Sequence, residues 1–164
     1  MAGGDLMFAR RTGSFFSLAW FAGASLALVS FLLLVGESRA MELISAQEAG
    51  LPEDPSGRSY GISLGPAIIV LNPSPAAGFI RSPFQLKIRF QSYGGAEIGV
   101  DSILLTYKKV PPIDLTQRVR PFITSEQISI DNVEAPAGQH RIQVDLKDSR
   151  GHNASTQFII KIRD

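Results

Sequence analysis

Apolar and polar side chains alternate along much of the second half of the chain. In Phe84–Gln91 (FQLKIRFQ) the apolar residues take every second position, and the two arms around the sequence DSRG near the C-terminus show the same period. Successive side chains of a β-strand point to opposite faces, so each segment is predicted to be a strand with one buried face. The inward rows of the last two strands are Ile142, Val144, Leu146 and Phe158, Ile160, Ile162.

Three further segments are predicted to be strands: Pro66–Leu71, Asp101–Lys109 and Ser125–Val133. Short strands separated by turn sequences rich in glycine, proline, asparagine and aspartate are typical of an antiparallel β-sandwich, here of about seven strands. The segment VPPIDLTQRVRP is less regular, and its prolines favour an edge or a crossing loop. Asp114 is predicted to cap one helical turn over LTQRV.

The N-terminus has the features of an export signal. Arg10 and Arg11 precede an uncharged apolar run at residues 15–36, and Ser38 and Ala40 have the small-x-small spacing of a cleavage site. Residues 1–40 are therefore predicted to be a secretory signal peptide. The run is also long enough to span a membrane, so an uncleaved anchor is the alternative.

Residues 41–65 are predicted to be a flexible linker, with a short helix within ELISAQEAG. This stretch carries acidic residues, glycines and prolines, and the part EDPSGRSYG has turn residues without a sustained period. The predicted domain order is then a signal segment (1–40), a linker (41–65) and the sandwich (66–164).

Composition excludes several functional classes. The formal net charge is +1 and the charges are interspersed, which lacks the clustered basic residues typical of a nucleic-acid binder. The chain has no cysteine, so disulfides, thiolate metal sites and a cysteine nucleophile are excluded. No nucleophile–base pattern or paired carboxylates occur at a spacing typical of catalysis, so we expect no enzyme activity and no cofactor.

The segments APAGQHRIQVDLKDSRGHNASTQFIIKI, NPSPAAGFIRSPFQLKIRF and VDSILLTY together resemble bacterial immunoglobulin-like and fibronectin-type-III-like modules. The resemblance covers residues 66–164 and implies an immunoglobulin-like fold. It also implies a spacer, adhesive or docking role, since most such modules are not catalysts. Fold alone does not assign a function.

The two histidines have different expected roles. His140 shares parity with Ile142, so it is expected to point inward at a corner where immunoglobulin-like folds commonly place a tyrosine. His152 follows the DSRG turn, and the sequences PAAG and RGH are similar to periplasmic copper carriers of the copper-resistance type. A single imidazole makes a poor copper site, so the alternative is a solvated turn residue.

Three aspartates are possible calcium ligands: Asp101, Asp145 and Asp148. They are not arranged in a calcium-binding loop, and Asp148 is expected to start the turn by accepting hydrogen bonds from nearby backbone. His152 and Asp148 therefore remain the candidate metal ligands.

The candidate partner-binding residues are an aromatic residue in a glycine-rich turn and four cations near the irregular segment: Tyr93, Lys108, Lys109, Arg118 and Arg120. Loops at the ends of a sandwich commonly carry recognition. The alternative is a solvated edge whose charges deter aggregation.

The predicted function is that of an exported, non-catalytic docking module in the periplasm, bound to an envelope protein or polymer. Contact with a membrane is expected only through an uncleaved N-terminal segment. The alternative function is a periplasmic carrier of copper or calcium with a similar fold.

Overall fold

The computed structural model describes residues 39–55 and 65–164. These residues form nine strands, two single-turn α-helices and two short 3-10 helices. The helices are α1 (Ala46–Ala49) and α2 (Thr116–Val119), and the 3-10 helices are Val100–Ser102 and Arg120–Phe122. The strands are β1 (Met41–Glu42), β2 (Ala67–Asn72), β3 (Ile80–Arg81), β4 (Phe84–Gln91), β5 (Leu104–Tyr107), β6 (Ile113–Asp114), β7 (Gln127–Glu134), β8 (Gly138–Lys147) and β9 (Asn153–Arg163).

The strands form two sheets, one with the order β1-β7-β4-β2 and the other with the order β3-β9-β8-β5-β6. Most pairs are antiparallel, but β1 pairs with β7 and β3 pairs with β9 in parallel. The all-β sandwich predicted from the sequence is confirmed. The strand count exceeds about seven because three of the strands, β1, β3 and β6, are only two residues long.

The predicted two-residue period corresponds to the burial pattern. On β4 the side chains of Leu86 and Ile88 are fully buried, whereas Gln85 and Arg89 are exposed. The inward rows of the last hairpin are buried as well, and they pack with β4 and β7 in one core cluster. Each such buried aliphatic side chain stabilises the fold by about 2 kcal/mol. This apolar layer holds the two sheets together.

Residues 41–55 do not form the predicted flexible linker. Met41 and Glu42 pair with Val133 and Glu134 of β7, and the side chains of Leu43 and Ile44 are fully buried in the core. The acidic residues, glycines and prolines that predicted a linker do not show that Leu43 and Ile44 are buried, because this burial depends on contacts with strands far along the chain. Of the predicted linker, residues 56–64 lie outside the described part of the chain.

One of the two single-turn helices has a side-chain cap. At α1, Ser45 Oγ accepts the Glu48 N–H, and the Glu48 carboxylate accepts the Ser45 N–H, which makes a capping box. At α2 the N-cap position is Leu115, which makes no side-chain capping hydrogen bond. The predicted cap at Asp114 is therefore wrong in position, because the helix begins at Thr116, one residue later than LTQRV; the Asp114 carboxylate still accepts the Thr116 N–H at 2.8 Å. The irregular segment after β5 becomes a short edge strand, β6, followed by one helical turn.

The predicted signal sequence, apart from Arg39 and Ala40, lies outside the described residues. Within residues 39–55 and 65–164, no helix has the length and apolar character needed to cross a membrane. The structure places Met41, which would be the first residue after cleavage at Ala40, directly at the start of β1.

We expect Leu43→Ala to destabilise the domain by about 3 kcal/mol, because it leaves a cavity in the core. The matched control is Leu104→Ala, since Leu104 is 48% exposed on the outer face of β5. This control is expected to cost less than about 0.5 kcal/mol. Urea unfolding of the purified variants measures both. Equal, small losses would mean that residues 41–44 are a linker after all.

Candidate functional site

His140 lies in a buried hydrogen-bond chain between the Tyr107 hydroxyl and the Pro136 carbonyl oxygen. Its Nε2 is 2.8 Å from the Pro136 carbonyl oxygen, and its Nδ1 is 2.9 Å from the Tyr107 hydroxyl. A carbonyl only accepts, so Nε2 carries the hydrogen and Nδ1 accepts from Tyr107. Burial lowers the pKa of His140, which keeps the ring neutral. The inward position expected for this residue is confirmed, and its ring bonds nearby backbone.

Lys109 is buried, with 4% of its surface exposed, although the sequence placed it on a binding surface. Its ammonium donates to the Ala49 and Leu51 carbonyl oxygens at 3.0 and 2.9 Å and pairs with the Glu53 carboxylate at 2.5 Å. Burial opposes the charged form, but the hydrogen bond to Glu53 and the nearby Tyr107 raise the pKa of Lys109 above its usual value. Lys109 is therefore an internal anchor, and its assignment to the surface was wrong.

The other three predicted surface cations also make intramolecular ion pairs. Lys108 pairs with Asp54 at 2.7 Å, and Arg120 pairs with Asp101. Arg118 donates to both oxygens of Glu48, at 2.8 and 2.5 Å, and to the Leu43 carbonyl oxygen at 2.7 Å.

Together, Lys108, Lys109 and Arg118 form what we call the N-terminal clamp, which binds residues 43–54 to the sandwich. The hydrogen bonds from Arg118 lower the pKa of Glu48 to about 2. Three of the five candidate partner-binding residues are therefore engaged in contacts within the domain.

Tyr93 lies at the opposite end of β5 from the clamp, so the structure does not bring the five candidate partner-binding residues together. It is 55% exposed in the loop between β4 and β5, next to Gly94 and Gly95, both of which have positive φ. Arg150 donates to the Gly94 carbonyl oxygen and fastens this loop to the last hairpin turn. Tyr93 remains an exposed candidate for partner contact.

His152 and Asp148 form a pair in the DSRG turn. Asp148 accepts backbone N–H groups of Arg150 and His152, both at 2.9 Å, and its second oxygen is 3.0 Å from His152 Nδ1. Burial would raise the pKa of Asp148, but these hydrogen bonds lower it below its usual value. As predicted, Asp148 holds the turn through backbone contacts.

The other proposed metal ligands lie elsewhere. Asp101 pairs with Arg120, and Asp145 accepts from the Gln143 amide at 3.0 and 2.8 Å. In the described part of the chain, no three histidine, aspartate or glutamate side chains come close enough to share a metal ion. The structure thus leaves His152 with one carboxylate partner and no third ligand among these residues.

A groove of about 590 Å³ lies between the two sheets, where β2 and β9 run beside each other. We call it the β2–β9 groove. Its lining combines apolar side chains with two cations and two uncharged polar residues, and consists of Ile68, Ile69, Val70, Pro75, Arg141, Thr156, Gln157, Phe158, Ile159 and Lys161.

Sequence reasoning missed the β2–β9 groove, although a signal was present. Ile69 and Ile159 are apolar residues at positions that strict alternation assigns to the outer, polar face. Ile69 is 37% exposed, and Ile159 is half-buried. Two such exceptions, on strands far apart in sequence, meet in one groove because the two strands are neighbouring edges of the sandwich.

No protein-family model matches the chain, and no curated protein matches it significantly. Among solved structures, the crystal structure of CopC from Methylosinus trichosporium OB3b is similar over 58% of this chain and 93% of that one. The sequence identity is 16% and the TM-score is 0.36. At this TM-score the similarity carries no argument about function, which has to be argued from the residues of this chain.

Stability is expected to depend on the ionisation of Glu48. The folded pKa of about 2 lies below the ordinary value of 4.5, so the ion pair contributes above pH 4.5 and its contribution disappears as the pH falls towards 2. Glu48→Gln should cost about 2 kcal/mol at pH 7, allowing for solvent screening, and almost nothing near pH 2. Urea unfolding at several pH values measures this difference, with the exposed Glu97→Gln as control. A cost that stays constant with pH would contradict the assignment.

We expect that neither copper(II) nor calcium raises the melting temperature of the domain at a one-to-one ratio. One imidazole and one carboxylate supply too few ligands for either ion. Thermal melting during titration with each metal, followed by calorimetry, measures this. A one-to-one shift that disappears in His152→Ala would instead support the metal-carrier alternative.

Proposed function

We propose that this chain is an exported, non-catalytic β-sandwich domain that docks to a protein of the bacterial cell envelope. The observation that carries the proposal is the β2–β9 groove, an apolar surface left open between the edges of two sheets. Open apolar grooves on a soluble domain are characteristic of binding sites. The predicted signal segment and the resemblance to exported modules support the cellular location.

The chemistry of the groove favours binding over catalysis. Its lining supplies apolar side chains, two cations, one threonine hydroxyl and one carboxamide. None of these lining groups is a histidine or carboxylate that could serve as a general base beside Thr156. The two histidines lie elsewhere, in the hydrogen-bond chain of Tyr107 and in the DSRG turn.

In-cell photo-crosslinking with the full chain tests the docking role. A photoreactive residue replaces Ile69 in the groove, Tyr93 in the loop between β4 and β5 or, as a matched control, Leu104 on the outer face of β5. Ile69 and Leu104 are both exposed aliphatic residues. We expect Ile69 to yield a discrete crosslinked envelope protein and Leu104 to yield none. N-terminal sequencing of the same material is expected to start at Met41.

Two results would overturn this proposal. One is a chain that stays in the cytoplasm with its N-terminus intact. The other is an exported chain whose crosslinks are the same from Ile69, Leu104 and Tyr93. A crosslink from Tyr93 but not from Ile69 would keep the docking role and move it to the loop between β4 and β5.

A further inference from the structure

The lining of the β2–β9 groove follows the edges of two strands. Consecutive residues of β2, Ile68–Val70, and consecutive residues of β9, Thr156–Ile159, all contact it. Side chains of consecutive strand residues point to opposite faces of a sheet. A cavity that touches every residue in a row therefore lies beside the strand edge, where backbone groups are accessible.

Backbone groups of β2 face the groove without a strand partner. Among the described residues, β2 pairs with β4 alone, and Ile68 lies opposite Phe90. The Phe90 N–H donates to the Glu126 carbonyl oxygen, on the side of β4 away from β2. Since antiparallel strands alternate the direction of their backbone groups, Ile68 and Val70 direct their N–H and C=O away from β4.

The facing edge of β9 is also mostly unpaired on this side. In the described part of the chain, β3 covers β9 only at Ile162 and Arg163. The groove thus lies between two strand edges, each with hydrogen-bonding groups that no strand among residues 39–55 and 65–164 occupies. Prolines stand immediately before and after β2, at Pro66 and Pro73, and limit an added strand to about the six residues of β2.

The core is incomplete at this edge of the sandwich. Ile68 and Val70 pack against the core but remain partly exposed, unlike the fully buried Leu86 and Ile88 on the neighbouring strand. Phe158, an inward residue of β9, also lines the groove. Apolar side chains of an added strand would remove this surface from water, which favours binding.

The polar part of the lining favours an acidic ligand. Arg141 and Lys161 contribute positive charge, and none of the lining residues is an aspartate or glutamate. Gln157 lines the groove too, and its Oε1 is buried without a hydrogen-bond partner among the described residues. An unsatisfied buried acceptor is costly, so a donor supplied by a ligand would be favourable there.

We propose that the β2–β9 groove binds an extended segment of the partner as an additional β-strand along β2. In this segment, apolar residues alternate with carboxylates, so that the apolar side chains cover Ile68, Val70 and Phe158 and the carboxylates meet Lys161 and Arg141. Strand addition to an open sheet edge is an established mode of peptide recognition. This inference rests on the proposed docking function and specifies the chemistry of its partner.

Labelled nine-residue peptides in which valine, isoleucine or phenylalanine alternates with glutamate test this inference on the purified exported chain. Fluorescence anisotropy measures binding, and a matched set carries lysine in place of glutamate. We expect at least one glutamate peptide to bind, and the corresponding lysine peptide to bind about tenfold more weakly, because like charges meet in the groove. Methylation of alternate backbone nitrogens along one peptide edge should abolish binding, since it removes the ladder donors and keeps the side chains.

Lys161→Glu is the protein variant for the charge contact. It should weaken binding of the glutamate peptide about tenfold and strengthen binding of the lysine peptide. Lys147→Glu is the matched control, because Lys147 is an exposed residue of β8 outside the groove lining and carries the same charge change. Circular dichroism and thermal melting of both variants establish that each is folded. If Lys161→Glu does not fold, the lysine and N-methylated peptides alone decide the question on the unmodified chain.

Three outcomes would overturn the inference: no binding below about 1 mM by any glutamate peptide, a level weaker than ordinary recognition; equal binding of glutamate and lysine peptides; or binding that survives N-methylation of each peptide edge in turn. Light scattering that shows a dimer dissociated by Ile69→Asp would assign the groove to a second copy of this chain, and would also overturn it. Any of these results combined with a specific crosslink from Ile69 or Tyr93 would leave the docking function standing.

Discussion

Burial of one apolar layer between two sheets is the interaction on which the rest of this structure depends. At one edge of the sandwich the N-terminal segment completes the layer with Leu43 and Ile44, both fully buried. At the opposite edge, β2 and β9 leave Ile68 and Val70 partly exposed beside a groove. The closed edge secures the fold, and the open edge provides the surface for which we propose a function.

The closed edge is also held by a contact between charged and polar groups. Lys109 supplies this by binding two carbonyl oxygens and one carboxylate from the same five-residue stretch, Ala49–Glu53. A buried ammonium is costly unless its hydrogen bonds are satisfied, and here three partners satisfy it. Arg118 and Lys108 extend the contact in both directions along the segment, to Leu43 and Asp54.

The open edge combines exposed backbone groups with nearby charges and prolines. Two strand edges with free backbone groups ordinarily invite aggregation, and proteins protect them with charge or proline. Here Pro66 and Pro73 limit the length of the edge, while Lys161 and Arg141 flank it with positive charge. The same features that restrict indiscriminate pairing are those from which we propose a short, acidic and apolar strand as the ligand.

The sequence alone determined the sandwich, the inward rows of its long strands and the inward position of His140, because a two-residue period specifies which face of a strand is buried. The backbone contacts of Asp148 in the DSRG turn were also predictable, since they depend on residues close together in the chain. Tertiary structure alone decided that Lys109 is buried against Glu53, that residues 41–44 complete the core, and that Ile69 and Ile159 share one groove. Each of these depends on contacts between residues about 55 to 90 positions apart, and neither alternation nor local spacing carries information about such pairs.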